Sequence, residues 1–120
     1  MEYPIKNFSV LLTEEYGGEE CNLEEGTAVS RLLNAKFEEF NLVTSEDTSS
    51  MEEFQCFTEM INKYLKPIKS IDAAGAEYQL IELRGIKVVV TRYPFDIIFF
   101  KLSEQEKFES ILKKYNVHIQ

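Results

Sequence analysis

The chain is short of the residues that most chemistry requires. Its one histidine, His118, stands two residues from the end of a 120-residue sequence. Chain ends are poorly held, and a general base has to be held still. With no second histidine there is no Ser-His or Cys-His pair in a better place. Neither GxxxxGK[ST] nor GxGxxG occurs, so no phosphate-cradling loop is expected. These absences point to a protein that is not an enzyme, with no catalytic residues and no cofactor.

Cysteine is equally scarce. Cys21 and Cys56 form no CxxC, no metal-type spacing and no disulfide framework, although a bond between the two stays open. No charged-then-apolar leader opens the sequence, and no apolar run reaches the roughly 18 residues a membrane span needs. The expectation is a reduced, cytoplasmic protein with no membrane partner.

Positive charge is the third shortage. Lys and Arg number 13 against 21 Asp and Glu, a net charge of −8. Residues 1–66 carry 14 acidic and 5 basic side chains, which makes −9; residues 67–120 carry 7 and 8, which makes +1. Affinity for a nucleic-acid backbone comes from Lys and Arg displacing counterions, so direct nucleic-acid binding is not expected. The natural complement of such a surface is a basic protein, because opposite potentials steer encounter. Acidity of this kind also serves solubility alone.

What the chain does have is a core. Hydrophobic residues make up 44% and aromatics 12%, enough for one compact domain over residues 1–120. Residues 5–13 (IKNFSVLLT) alternate like a strand. An acidic loop follows, with Gly17–Gly18 as its turn and Gly26 closing it. From Thr27, read as an N-cap, Val29, Leu32, Leu33, Phe37 and Phe40 recur at helical spacing as far as about Asn41. TSEDTSS (44–50) is a polar connector, and Ser49 or Ser50 caps a helix with the stripe Met51, Phe54, Phe57, Met60, Ile61, Tyr64, Leu65, ending before Pro67. IDAAGA (71–76) reads as flexible. Residues 77–83, 86–93 and 96–102 form a three-stranded meander turned at Arg84–Gly85 and at Tyr93–Pro94–Phe95. Ser103 with Glu106 caps a last helix with the face Phe108, Ile111, Leu112 and Tyr115, and Asn116 stops it, with 117–119 as a short extra strand. The fold class is α+β: an antiparallel sheet made of the meander plus the N-terminal strand, with helices packed on one face.

The stretch EEYGGEECNLEE (14–25) holds six glutamates in three adjacent pairs with no Lys or Arg. Calcium loops need Asp or Asn at alternating positions and this stretch has no Asp, so no metal is expected. Adjacent solvated glutamates also lack the separate environments that carboxylate catalysis needs. Glu38–Glu39–Phe40 and Glu52–Glu53–Phe54 are explained by amphipathic helices. The six glutamates of 14–25 have no such explanation, which singles them out as a partner-binding surface. Its residues are Glu14, Glu15, Glu19, Glu20, Glu24 and Glu25, with Tyr16 as an aromatic anchor.

The function expected is that of a small acidic binding protein. It would neutralise a larger, basic partner such as a nuclease or nucleic-acid-binding enzyme, in the manner of immunity proteins, antitoxins and phage-encoded anti-defence inhibitors. That is a likeness of kind and rests on no shared motif. The alternative is a structural or assembly module. The strand DIIFFKL (96–102) is apolar on both sides, as in a central strand covered on both faces, or as in a meander that pairs with a second copy to make a homodimer.

Overall fold

A computed structural model describes residues 19–92 and 95–120, with side chains from Leu23 onward. The expected strand over residues 5–13 and the Gly17–Gly18 turn lie outside the described residues. The chain order is α1 (Glu19–Leu33), β1 (Phe40–Thr44), α2 (Met51–Tyr64), β2 (Lys69–Ala73), β3 (Ala76–Leu83), β4 (Ile86–Thr91), β5 (Ile97–Lys101) and α3 (Gln105–Lys114). All five strands form one antiparallel sheet in the order β1-β5-β4-β3-β2. The α+β class expected from the sequence is therefore the class observed.

The meander extends one strand further than expected. β2 and its turn occupy the stretch read as flexible, and β2 pairs with β3 from Lys69↔Leu80 to Ala73↔Ala76. Ala74 (φ 50°) and Gly75 (φ 78°) both take positive φ, as do Arg84 (φ 48°) and Gly85 (φ 92°) in the next turn. Two-residue turns of this hand match the twist of the strands they join. β2 is too polar to announce itself by composition; backbone pairing at the sheet edge holds it.

Helices cover both faces of the sheet, not one. Ile98 and Phe100 of β5 join Val43, Val88, Val90, Ile81 and Leu83 on one side, under Phe54, Phe57 and Ile61 of α2 and Phe108, Ile111 and Leu112 of α3. Ile97 and Phe99 join Leu42, Val89, Tyr78 and Leu80 on the other, under Ala28, Val29, Leu32 and Leu33 of α1. The reason is the period of two along a strand: an uninterrupted apolar run leaves neither side fit for water. Phe100 stacks on Phe108 with ring centroids 4.4 Å apart. Among the described residues no helix is long and apolar enough to cross a membrane.

Two element boundaries also differ. α1 starts at Glu19, and Thr27 lies inside it, its hydroxyl donating to the Leu23 carbonyl at 2.7 Å instead of capping. Gly26, expected to close a loop, is a buried residue of this helix. At the other end α1 stops at Leu33, where Asn34 takes φ 53°, and Phe40 belongs to β1. The apolar spacing of Phe37 and Phe40 suits either element, so periodicity alone does not separate a helix end from a short strand.

The remaining caps are local and follow the sequence more closely. The Ser50 hydroxyl accepts from the Glu53 N–H at the start of α2. α3 begins after a short turn at Leu102–Glu104 with no side-chain cap, so Ser103 does not play the expected role. Asn116 stops α3 with φ 62°. The chain end then forms a single bridge, Thr48↔Ile119, supported by Ser49 N–H to the His118 carbonyl and Gln120 N–H to the Asp47 carbonyl.

The two-sided core has a direct test. Phe99→Ala and Phe100→Ala remove rings from opposite faces, and each is expected to cost about 3–5 kcal/mol in denaturant unfolding. A near-zero loss for either would mean that its face is open.

Candidate functional site

The acidic stretch enters the fold through α1. Glutamate is a good helix former, and negative charge in a first turn is favoured by the helix dipole. The run of acid from Glu19 to Glu25 is thus compatible with a helix start, a local benefit that the pattern of charge alone does not reveal. Glu14, Glu15 and Tyr16 lie outside the described residues. Glu19 and Glu20 open α1.

Glu24 and Glu25 both bond to the β2–β3 hairpin, Glu24 from an exposed position and Glu25 from a half-buried one. A Glu24 carboxylate oxygen accepts from the Ala74 N–H at 2.9 Å, satisfying a turn amide fifty residues away. Glu25 accepts from the hydroxyl of Tyr78 at 2.5 Å. Tyr78 is buried, and its ring lies 6.2 Å from that of Phe99. Burial pushes the Glu25 carboxyl above its ordinary pKa, and the bond from Tyr78 opposes that rise only in part. Glu25 is therefore a clamp between helix and sheet, in contrast to the freely solvated surface charge expected of it.

The topology adds acid that is remote in sequence. Thr44 ends β1 opposite Ile97, which begins β5 opposite Thr91, the last residue of β4. The β2–β3 turn, held by Glu24, lies at this same end of the sheet. Four segments therefore converge here: 19–27, 44–53, 72–78, and 91–92 with 95–97. Glu46, Glu52, Glu53, Asp72 and Glu77 are exposed within them. The basic residue in all four is Arg92 alone, and its Nε lies 3.0 Å from Asp96. Asp96 also accepts from the Thr58 hydroxyl at 2.9 Å, which ties the β4–β5 loop to α2. Asp47 accepts from the N–H of Thr44 at 2.9 Å; its carboxyl is raised chiefly by burial, with neighbouring Glu46 adding to the rise.

Beside this end, α1 and β2 border an open groove of about 380 Å³ lined by Leu23, Thr27 and Arg31 from the helix and Ile71, Asp72 and Ala73 from the strand. Among the described residues no group of three or more His, Cys, Asp or Glu is placed to hold a metal ion. Cys56 is exposed on α2 as a free thiol. No protein-family model, no curated protein and no solved structure matches the chain.

The raised carboxyl of Glu25 fixes the sign of a pH effect. A group whose pKa is higher folded than unfolded stabilises the fold most when protonated, and that contribution is lost as pH rises through the folded value. Gln at this position stays neutral and can still accept from Tyr78. E25Q is expected to be more stable than the natural chain at neutral pH, with the difference shrinking towards zero in acid. Asp47 shifts in the same direction, so the check is the difference between the two unfolding profiles against pH.

Proposed function

We propose that this chain is a non-enzymatic binding protein that occupies the basic surface of a larger, nucleic-acid-acting protein in the cytoplasm and neutralises it. The observation that carries this reading is the convergence of three acidic segments on one end of the sheet, beside a fourth whose Arg92, the single basic residue among them, is already paired with Asp96. Charge collected on a braced end differs from charge on a free loop. Its carboxylates are held apart by strands and helix starts, so less freedom is lost when a partner docks. A surface of one sign also raises the association rate with a basic partner and excludes nucleic acid from the same groove. The docking residues are Glu14, Glu15, Tyr16, Glu19 and Glu20, extended by Glu46, Glu52, Glu53 and Glu77, with Glu24 and Glu25 bracing the helix that Glu19 and Glu20 open.

The test is a pull-down from a lysate of the source cell, or of its host if the source is viral, with retained proteins identified by mass spectrometry. The natural chain is compared with a variant carrying Gln at Glu14, Glu15, Glu19 and Glu20, and with one carrying Gln at Glu46, Glu52 and Glu53. Both leave the clamp at Glu24 and Glu25 in place. A basic nuclease or DNA-binding enzyme retained by the natural chain, lost by both variants and released by salt, is the expected result. Full-strength, salt-insensitive retention by both variants would overturn the reading.

A further inference from the structure

Among the described residues β2 is the last strand of the sheet, and its outer edge carries no neighbour. Unpaired edges are places where another strand can add, and proteins usually blunt them with charge, proline or a bulge. This edge is blunted weakly. Lys69 and Asp72 are its charged residues, and Ile68, just before it, is 55% exposed. Directly alongside runs the groove to α1, where Leu23 is also 55% exposed.

We propose that a second copy of the chain closes this edge, β2 pairing antiparallel with β2 so that two five-stranded sheets become one and the α1 helices lie side by side. A two-fold axis normal to the sheet keeps each face on its own side, so it pairs odd positions with odd and even with even. Centred on Ile71, it sets Ile71 against Ile71, Lys69 against Ala73 and Ser70 against Asp72, and no like charges meet. Ile71 and Ala73 pack on the α1 side of the sheet, so the two helices approach above the new pair. Leu23, Thr27 and Arg31 form the stripe of α1 that borders the groove, at the four-residue spacing of one helix face. Antiparallel helices crossing near Thr27 bring Arg31 of each copy towards Leu23 and Glu24 of the other.

The charge pattern identifies the occupant. Under two-fold rotation Arg31 of one copy answers Glu24 of the other and Lys69 and Asp72 meet no like charge, whereas a purely basic strand would meet Arg31 and Lys69 and a purely acidic one Glu24 and Asp72. Pairing five residues of strand buries too little alone, since stable interfaces cover roughly 1,200 Å² or more. The helix contact has to supply the rest. This proposal does not rest on the acidic-end reading and can stand or fall without it.

Sedimentation of the natural chain over a range of concentrations, with hydrogen exchange on the same samples, tests it. The expected result is a reversible dimer in which the amides of residues 69–73 gain protection as concentration rises. Thr27→Lys places two ammonium groups at the axis on an exposed position; it is expected to weaken the dimer by roughly tenfold or more while leaving the circular dichroism unchanged. A natural chain that sediments as a monomer throughout would overturn the proposal. So would a dimer that Thr27→Lys leaves intact while residues 69–73 exchange freely, since its contact then lies elsewhere or another chain's strand takes this edge.

Discussion

The fold depends on one strand that cannot tolerate water on either side. In β5, Ile98 and Phe100 face one way and Ile97 and Phe99 the other, and all four are buried. Neighbouring strands on both flanks satisfy its backbone, and helices above and below satisfy its side chains. Once both faces must be covered, the three helices cannot share one layer. α1 takes the Phe99 face, and α2 and α3 take the Phe100 face. The chain then has to pass from one face to the other by way of β1, which is why a short strand interrupts what otherwise looks like an extended helical region.

The same constraint distributes the charge. With the sheet interior filled by Ile, Val, Leu and Phe, acidic residues are left to the turns, the helix starts and the sheet margin. Antiparallel connections bring the start of α1, the end of β1, the start of α2 and the β2–β3 turn to a common end. Helix starts favour acid through the dipole, so two of these four places select for glutamate on local grounds. Some of that acid has structural work. Glu24 satisfies a turn amide, Glu25 holds the buried Tyr78 hydroxyl, and Asp96 joins the β4–β5 loop to α2 through Thr58. The opposite end is held differently: the Arg84 side-chain Nε–H donates to the Tyr115 hydroxyl at 3.2 Å, and the Tyr115 ring packs 5.1 Å from that of Phe57. Glu46, Glu52 and Glu53 stay exposed at this end, and Glu77 accepts from the Gln79 side-chain amide at 2.7 Å.

The sequence by itself determined the elements whose signal is local. The Phe54–Phe57–Ile61 stripe with Ser50 before it and Pro67 after it specified α2. The alternation around Arg84–Gly85 specified β3 and β4, and the double-sided apolar run marked β5 as a strand, with its cover on both faces or its pairing with a second copy left open. In each case the hydrophobic period or the turn chemistry lies within a few residues and needs no distant partner. What only the tertiary structure decided has a different physical origin. β2 exists because β3 lends it a hydrogen-bonded edge, since Lys69–Ala73 has little apolar content of its own. β1 and the early start of α1 were hidden because Phe37 and Phe40 fit two periods, and because a run of glutamate reads equally as loop or as helix start. The split of the helices between two faces and the gathering of acid at one end depend on strand order, which no short window of sequence contains. Glu25 shows the difference most plainly: its charge is legible in the sequence, but its burial against Tyr78, fifty-three positions away, is decided by packing.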